Sequence, residues 1–405
     1  AIPMNRLDYL RKSEQCLGWA LERCGQRQPA HTLTSMARLI VDGTTGPWRY
    51  FHNPEHLFMV AGQGEPVEML AGLYHDLLYV QVDRDIFLNL ACLVSSVVFQ
   101  DDGELVIRSE THLPDDPAIA LTMAIFDFKP GQVLDPAAGQ NEFLSAVVAA
   151  RVLAPFLEPA VLAQVLACIE LTIPFREPDD QGLCASEALY QRLMRADASF
   201  QLGFGAQGCE AAVHQAVRLT IRDLSGFKLS PERFMDNTWC LLPESNNSLI
   251  SKESYSIRTY RESLTGTHSF FGLLDSANVF PRFRGIPAEE TYQELRQAAQ
   301  HNLEVGYLYL TAKLAALGVL EALSERVGVE TPVSLLLDGL KVRLIPPLEV
   351  PEPASFSTPI DKDVFDLLAY GRTRDQEYDL ANSPVAALFF STMGAAGTVS
   401  LYDQA

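Results

Sequence analysis

Apolar residues recur three and four positions apart along most of this chain, and that period limits it to helices packed on helices. Leu7, Leu10, Cys16, Leu17, Ala20 and Leu21 draw the first stripe. Segments 119–126, 140–156, 159–173, 185–202 and 210–224 repeat the pattern, with Asp115 opening the first of them. Alternation of the strand kind is weak, and 104–108 and 342–345 are the only short candidates. The expected class is all-α, a helical bundle with a further, largely helical C-terminal region.

Turn-forming residues divide the chain. Loops are expected at 43–47, 129–131 and 178–182. The strongest punctuation is 243–248. A second break runs through Pro346, Pro347, Pro351 and Pro353, residues that forbid a helix interior. Three regions follow: 1–228, then 229–345, then a Pro-rich linker and helical segment at 346–405. The middle region holds a long helical stretch, 288–327. Its face of Leu303, Tyr307, Leu310, Leu314, Leu317 and Leu320 suits a packing helix, or a seam for a homodimer. Segment 361–401 reads as two helices, the second starting at Ser383-Pro384.

The formal charge of -20 excludes a nucleic-acid surface from the expectations, because a phosphate backbone requires clustered Lys and Arg. A phosphorylated substrate would need a local basic pocket within that acidic envelope. The 7 cysteines are scattered without a C-x-x-C pair, a reduced pattern. Arg6, Asp8, Arg11 and Lys12 interrupt any apolar signal core at the start. The apolar run 308–323 is broken by Lys313 and Glu321, short of the roughly 18 residues of a membrane span. The expectation is a cytoplasmic protein without a membrane or nucleic-acid partner.

Chemistry concentrates in one window. Of 8 histidines in the chain, His52, His56 and His75 fall close together, and Asp76 follows the last. Imidazole nitrogen with carboxylate oxygen is a ligand set for Mn, Fe, Zn or Co. Pro54 belongs near a helix start, which puts His52 on the preceding turn and His56 one turn in, facing the core with Leu57 and Val60. On a helix the side chains of His75 and Asp76 diverge by roughly 100°, so both can touch an ion lying between them. Their apolar surroundings, Leu70 to Tyr74 and Leu77 to Tyr79, read as one buried helix. A carboxylate there is costly unless paired or metal-bound. The bland alternative is a hydrogen-bonded His-Asp pair.

The string His52-Asn53-x-x-His56, an amphipathic helix, then His75-Asp76 resembles the HD-domain metal-dependent phosphohydrolase superfamily. It is most similar to the branch with a Tyr-His-Asn-x-x-His opening, which includes cyclic-nucleotide phosphodiesterases and uncharacterised bacterial hydrolases. The resemblance spans about residues 30 to 225. It implies that His56, His75, Asp76 and a later aspartate bind a divalent metal (Mn, Fe, Co, Mg or Zn), and that His52 is a general acid. The later aspartate is assigned to Asp197, in a stretch similar to the family's Asp-Ala-Asp-x-x-x-Leu-Gly helix, with Asp127 as rival. Two family features are missing: Phe175 and Arg176 stand where a further histidine is expected, and Asn89-Leu90-Ala91 lacks an acid. Both losses point to a mononuclear or degenerate centre. The implied reaction is hydrolysis of a phosphoester in a nucleotide-like small molecule, with Arg49, Arg176 and Arg195 as candidate phosphate holders. Two alternatives stay open, an iron-dependent oxygenase of the same fold and a non-catalytic ligand-binding or assembly module. Elsewhere, His268 is expected in a loop and His214 in the core.

Overall fold

In a computed structural model of the chain, residues 4–404 are described apart from 63, 247–248, 250–255, 329–348 and 377. The fold is all-α, with one small hairpin among the described residues. The helices are α1 (Arg6–Cys24), α2 (Ala30–Thr44), α3 (Pro54–Ala61), α4 (Pro66–Tyr74), α5 (Val80–Asp83) and α6 (Leu88–Val94). Strands β1 (Val98–Asp101) and β2 (Glu104–Ile107) then pair antiparallel, with Val98 opposite Ile107. The strand candidate at 342–345 lies outside the described residues. Helices α7 (Pro117–Phe126), α8 (Gln140–Leu153), α9 (Pro159–Leu171), α10 (Ala185–Phe200) and α11 (Gly205–Asp223) follow. The remainder comprises α12 (Pro231–Ser245), α13 (Ile257–Leu273), α14 (Glu289–Val327), α15 (Pro359–Ala369) and α16 (Pro384–Gln404).

The chain forms two compact units, Ala1–Leu224 with Phe280–Tyr292, and Ser225–Val279 with Gln293–Ala405. In the first, α9 is apolar on nearly every side and lies in the middle of the core, with Leu166, Ala167 and Ile169 fully buried. Helices α4, α8 and α11 pack on it, and α1 and α3 pack on α4. Gly72 lets α3 and α4 approach closely: a Cβ there would lie 2.6 Å from the backbone N and Cα of Ala61. This contact brings the two histidine-bearing segments together.

In the second unit, Leu303, Leu310, Leu314 and Leu317 of α14 are buried, as a packing helix requires, while Tyr307 is exposed. Pro243, a break in the sequence pattern, lies inside α12, which ends at Ser245. His268 is a buried residue of α13 rather than a loop residue, hydrogen-bonded to Thr311 Oγ1 at 2.9 Å. The sequence shows no partner motif for it because that partner lies on α14. Among the described residues, two helices are long and apolar enough to cross a membrane by length and composition, Glu289–Arg326 and Pro384–Gln404. This revises the reading that no apolar stretch reaches that length. The first of them is mostly buried in the protein.

Candidate metal centre

Asn53 caps α3: its side chain accepts the His56 N–H at 3.1 Å, and Pro54 fills the first helical position. The expected start of this helix is therefore observed, with His52 on the turn before it and the His56 side chain almost fully buried. Helix α4 stops at Tyr74, earlier than the continuous helix expected through Tyr79. Helix α8 supplies the reason. Its Ser145 Oγ accepts the Leu78 N–H at 3.0 Å, and Asn141 Oδ1 accepts the Val80 N–H at 3.0 Å. These side chains replace the carbonyls that a longer α4 would have offered. His75 thus becomes the C-terminal cap residue of α4, and Asp76 sits in the following turn.

The fourth member comes from the last residue of α11. Asp223 is placed by its neighbours. Arg222 Nε donates to the Val60 carbonyl at 2.8 Å, and Arg222 Nη1 to buried Glu68 at 2.7 Å. Arg218 Nε donates to the same Glu68 at 2.8 Å. The end of α11 is pinned to α3 and α4, and Asp223 meets their histidines.

The resulting group is tight. His56 Nε2 lies 3.3 Å from Asp76 Oδ2 and 3.1 Å from Asp223 Oδ1. His75 Nε2 lies 2.9 Å from Asp76 Oδ2 and 3.4 Å from Asp223 Oδ1. One ligand atom from each residue falls within 4.8 Å of the other three. Such nitrogen–oxygen spacings suit neighbouring ligands on an ion with bonds of about 2.0–2.2 Å. His75 Nδ1 donates to the Gly72 carbonyl at 2.8 Å, since a carbonyl can only accept. That bond leaves the Nε2 lone pair facing the acids in the neutral ring, the usual orientation of a metal-binding histidine. Both Nε2 atoms are buried, and neither makes a well-formed hydrogen bond. Two orphaned imidazole nitrogens and two facing carboxylates are a donor set that a divalent cation satisfies.

Electrostatics agree. Burial alone disfavours charge on either imidazole, yet the facing carboxylates outweigh it, raising His56 and holding His75 well above its usual range. Burial opposes ionisation of both acids, yet the histidines hold Asp76 well below the carboxylate range and Asp223 at about 2. The acids are thus kept ionised, the form in which a carboxylate can ligate a metal.

The other expected residues lie elsewhere. Asp197 is not in the group: its two carboxylate oxygens accept the backbone N–H groups of Phe204 and Gly205, each at 2.9 Å, and so close the turn into α11. Asp127 is also outside it, exposed at the end of α7 and paired with Lys129. Arg49 is buried, with every donor engaged. Nε and Nη2 bind Asp83 at 2.8 and 2.7 Å, Nη2 also binds the Leu77 carbonyl, and Nη1 binds the carbonyls of His52 and Asp76. It fastens two site segments together and has no N–H left for a phosphate. Arg176 and Arg195 line a cavity described below. His52 stands beside the group, its ring 5.5 Å from that of His56 and edge-on to Tyr79 at 4.7 Å, centroid to centroid.

Glu142 of α8 was not singled out by sequence reasoning. Burial pushes its carboxyl up to about 7, with Asp76 and Asp223 adding to the rise and Arg176 opposing it. The available signal was an acid in the first turn of a helix that is otherwise almost wholly buried.

No family model, curated protein or solved structure matches the chain. Its function has to be argued from the site itself.

Gly72→Ala tests how far the centre depends on the α3–α4 contact. The added methyl meets backbone atoms, which cannot rotate away, so a loss of about 1–3 kcal/mol or more is expected in urea unfolding. The same change displaces the carbonyl that orients His75, so metal content should fall with stability. Full metal content in a stable Gly72→Ala protein would show that this contact does not set the site.

Proposed function

We propose that this chain is a metal-dependent phosphoester hydrolase of the HD-domain kind, acting on a nucleotide-like small molecule. The observation that carries the reading is the buried convergence of His56, His75, Asp76 and Asp223, with both histidine Nε2 atoms lacking hydrogen-bond partners. These four would hold one divalent ion of the Mn, Fe, Co, Mg or Zn type. Bound there, it would supply Lewis acidity toward a phosphoryl oxygen and lower the pKa of water. The chain's residues do the rest. Asp76 and Asp223 offset the ion's charge, and the Gly72 carbonyl fixes the His75 ring. His52, half-buried at the edge of the group, donates a proton to the leaving oxygen. Arg49 holds the His52 and Asp76 backbones in register.

The test combines metal analysis of protein purified without chelator with hydrolysis of bis(p-nitrophenyl) phosphate. The expected result is bound Mn, Fe, Co or Zn, or turnover dependent on added Mg, abolished in His75→Ala. His52→Ala should keep its metal and lose about 10²–10⁴-fold in kcat, the usual contribution of a general acid. Absence of both metal and turnover would sink this reading in favour of a ligand-binding or assembly module. Bound iron without phosphoesterase activity would favour the oxygenase alternative.

A further inference from the structure

A second buried charge group of the first unit lies where the end of α9 meets α10. Glu170 of α9 has its side chain almost fully enclosed. It accepts Arg176 Nη1 at 2.6 Å and Arg192 Nη2 at 2.7 Å, and these arginines overcome burial to hold its carboxyl below the usual range. Phe175, the residue before Arg176, has a φ of 56°. A bulky side chain in the left-handed region is strained. That turn carries the chain around so that Arg176 reaches back to Glu170.

Two arginines on one carboxylate leave positive charge over. Arg192 Nη1 donates also to the Phe126 carbonyl, and Arg176 Nη2 to the Glu170 carbonyl. After these bonds the Nε–H groups of both arginines remain buried without partners. Both side chains line a cavity of about 270 Å³, and Arg195, exposed and about one helical turn along α10 from Arg192, lines it too. Among the described residues no acid lies within ion-pair distance of Arg195. Three acids share the wall with the arginines, and each has an interaction of its own. Asp127 pairs with Lys129 at 2.5 Å, and Asp179 Oδ1 accepts the N–H groups of Gln181 and Leu183, each at 2.9 Å. Glu177 is the third.

We propose that this cavity is a binding site for a phosphoryl oxyanion, held by Arg176, Arg192 and Arg195. Guanidinium groups present planar pairs of donors that match phosphate oxygens, and two of these arginines are fixed in advance by Glu170. The volume suits inorganic phosphate or a small phosphorylated molecule better than a whole nucleotide, since drug-sized ligands occupy about 300–1,000 Å³. The site stands on its own residues and does not depend on the hydrolase reading.

The experiment is isothermal titration of inorganic phosphate into the full chain, with acetate at matched ionic strength as control. Saturable binding of phosphate but not of acetate is expected. Arg195→Ala, a change at an exposed position, should weaken it at least about tenfold, equivalent to about 1.4 kcal/mol. Asp76→Asn should leave it within about twofold, since that residue belongs to the metal centre. Unchanged affinity in Arg195→Ala overturns the proposal, as does no saturable binding, or loss of binding in Asp76→Asn. Phosphate binding that survives in a protein without metal or turnover would sustain this site while the hydrolase reading fails.

Discussion

Asp223→Asn is expected to lower the protein's affinity for a divalent ion by at least about 100-fold. Removing a residue that merely orients a ligand costs about 10–100-fold, and Asp223 would be a ligand itself. An amide keeps the size of the side chain but removes the charge that faces His56 Nε2 at 3.1 Å and His75 Nε2 at 3.4 Å. The matched control is Asp197→Ala. That change should leave metal affinity within about twofold and cost about 0.5–2 kcal/mol of stability, the range for losing a side-chain cap on backbone N–H groups. Competition with a chromophoric chelator reads the first quantity and urea unfolding the second. If Asp197→Ala strips the metal while Asp223→Asn retains it, the centre described here is wrong.

The same pair of residues marks the limit of what spacing along the chain reveals. His56, His75 and Asp76 were legible because their spacing is local: a capped helix start, then an acid-bearing dyad inside an apolar stretch. The turn at Asn53-Pro54 is dictated by side-chain capping and by proline's missing N–H, so its place in the chain is enough to find it. The fourth member was not legible. Asp197 and Asp223 both sit at the end of an amphipathic helix, and periodicity cannot tell which end meets α3 and α4. That choice rests on Arg218 and Arg222 reaching Glu68 and Val60, contacts far apart in sequence. Arg49 misled for a similar reason. An arginine beside a site segment suggests a phosphate holder, and only the burial of its five donors shows that it is a clasp. The helix class was legible throughout, since a period of three to four needs no tertiary knowledge. The early stop of α4 was not, because it depends on Ser145 and Asn141 of α8.

Buried charge alone does not mark a metal centre, and the second unit supplies the contrast. Asp379 Oδ2 accepts Trp239 Nε1 at 2.8 Å, Tyr260 O–H at 2.5 Å and Lys313 Nζ at 3.0 Å. Lys313 also donates to Ser383 Oγ at 2.8 Å, and its ammonium lies over the rings of Trp239, Tyr260 and Tyr309. Here the acid already has its cation and its donors, so nothing is left for an ion to satisfy. At the candidate metal centre two acids face two imidazole nitrogens that make no well-formed hydrogen bond. The consequence for mutation differs accordingly. Lys313→Met should destabilise the protein by about 3–5 kcal/mol, because it removes the nearer of two cations from buried Asp379 and leaves only Arg372, at 3.7 Å. Lys313→Met combined with Asp379→Leu should recover part of that loss, since the ammonium and carboxylate go together while Arg372 keeps the Tyr309 hydroxyl and the Leu380 carbonyl. Urea unfolding of the two single variants and the double variant measures the coupling directly. Additive losses would mean that the ammonium and the carboxylate do not act as a pair.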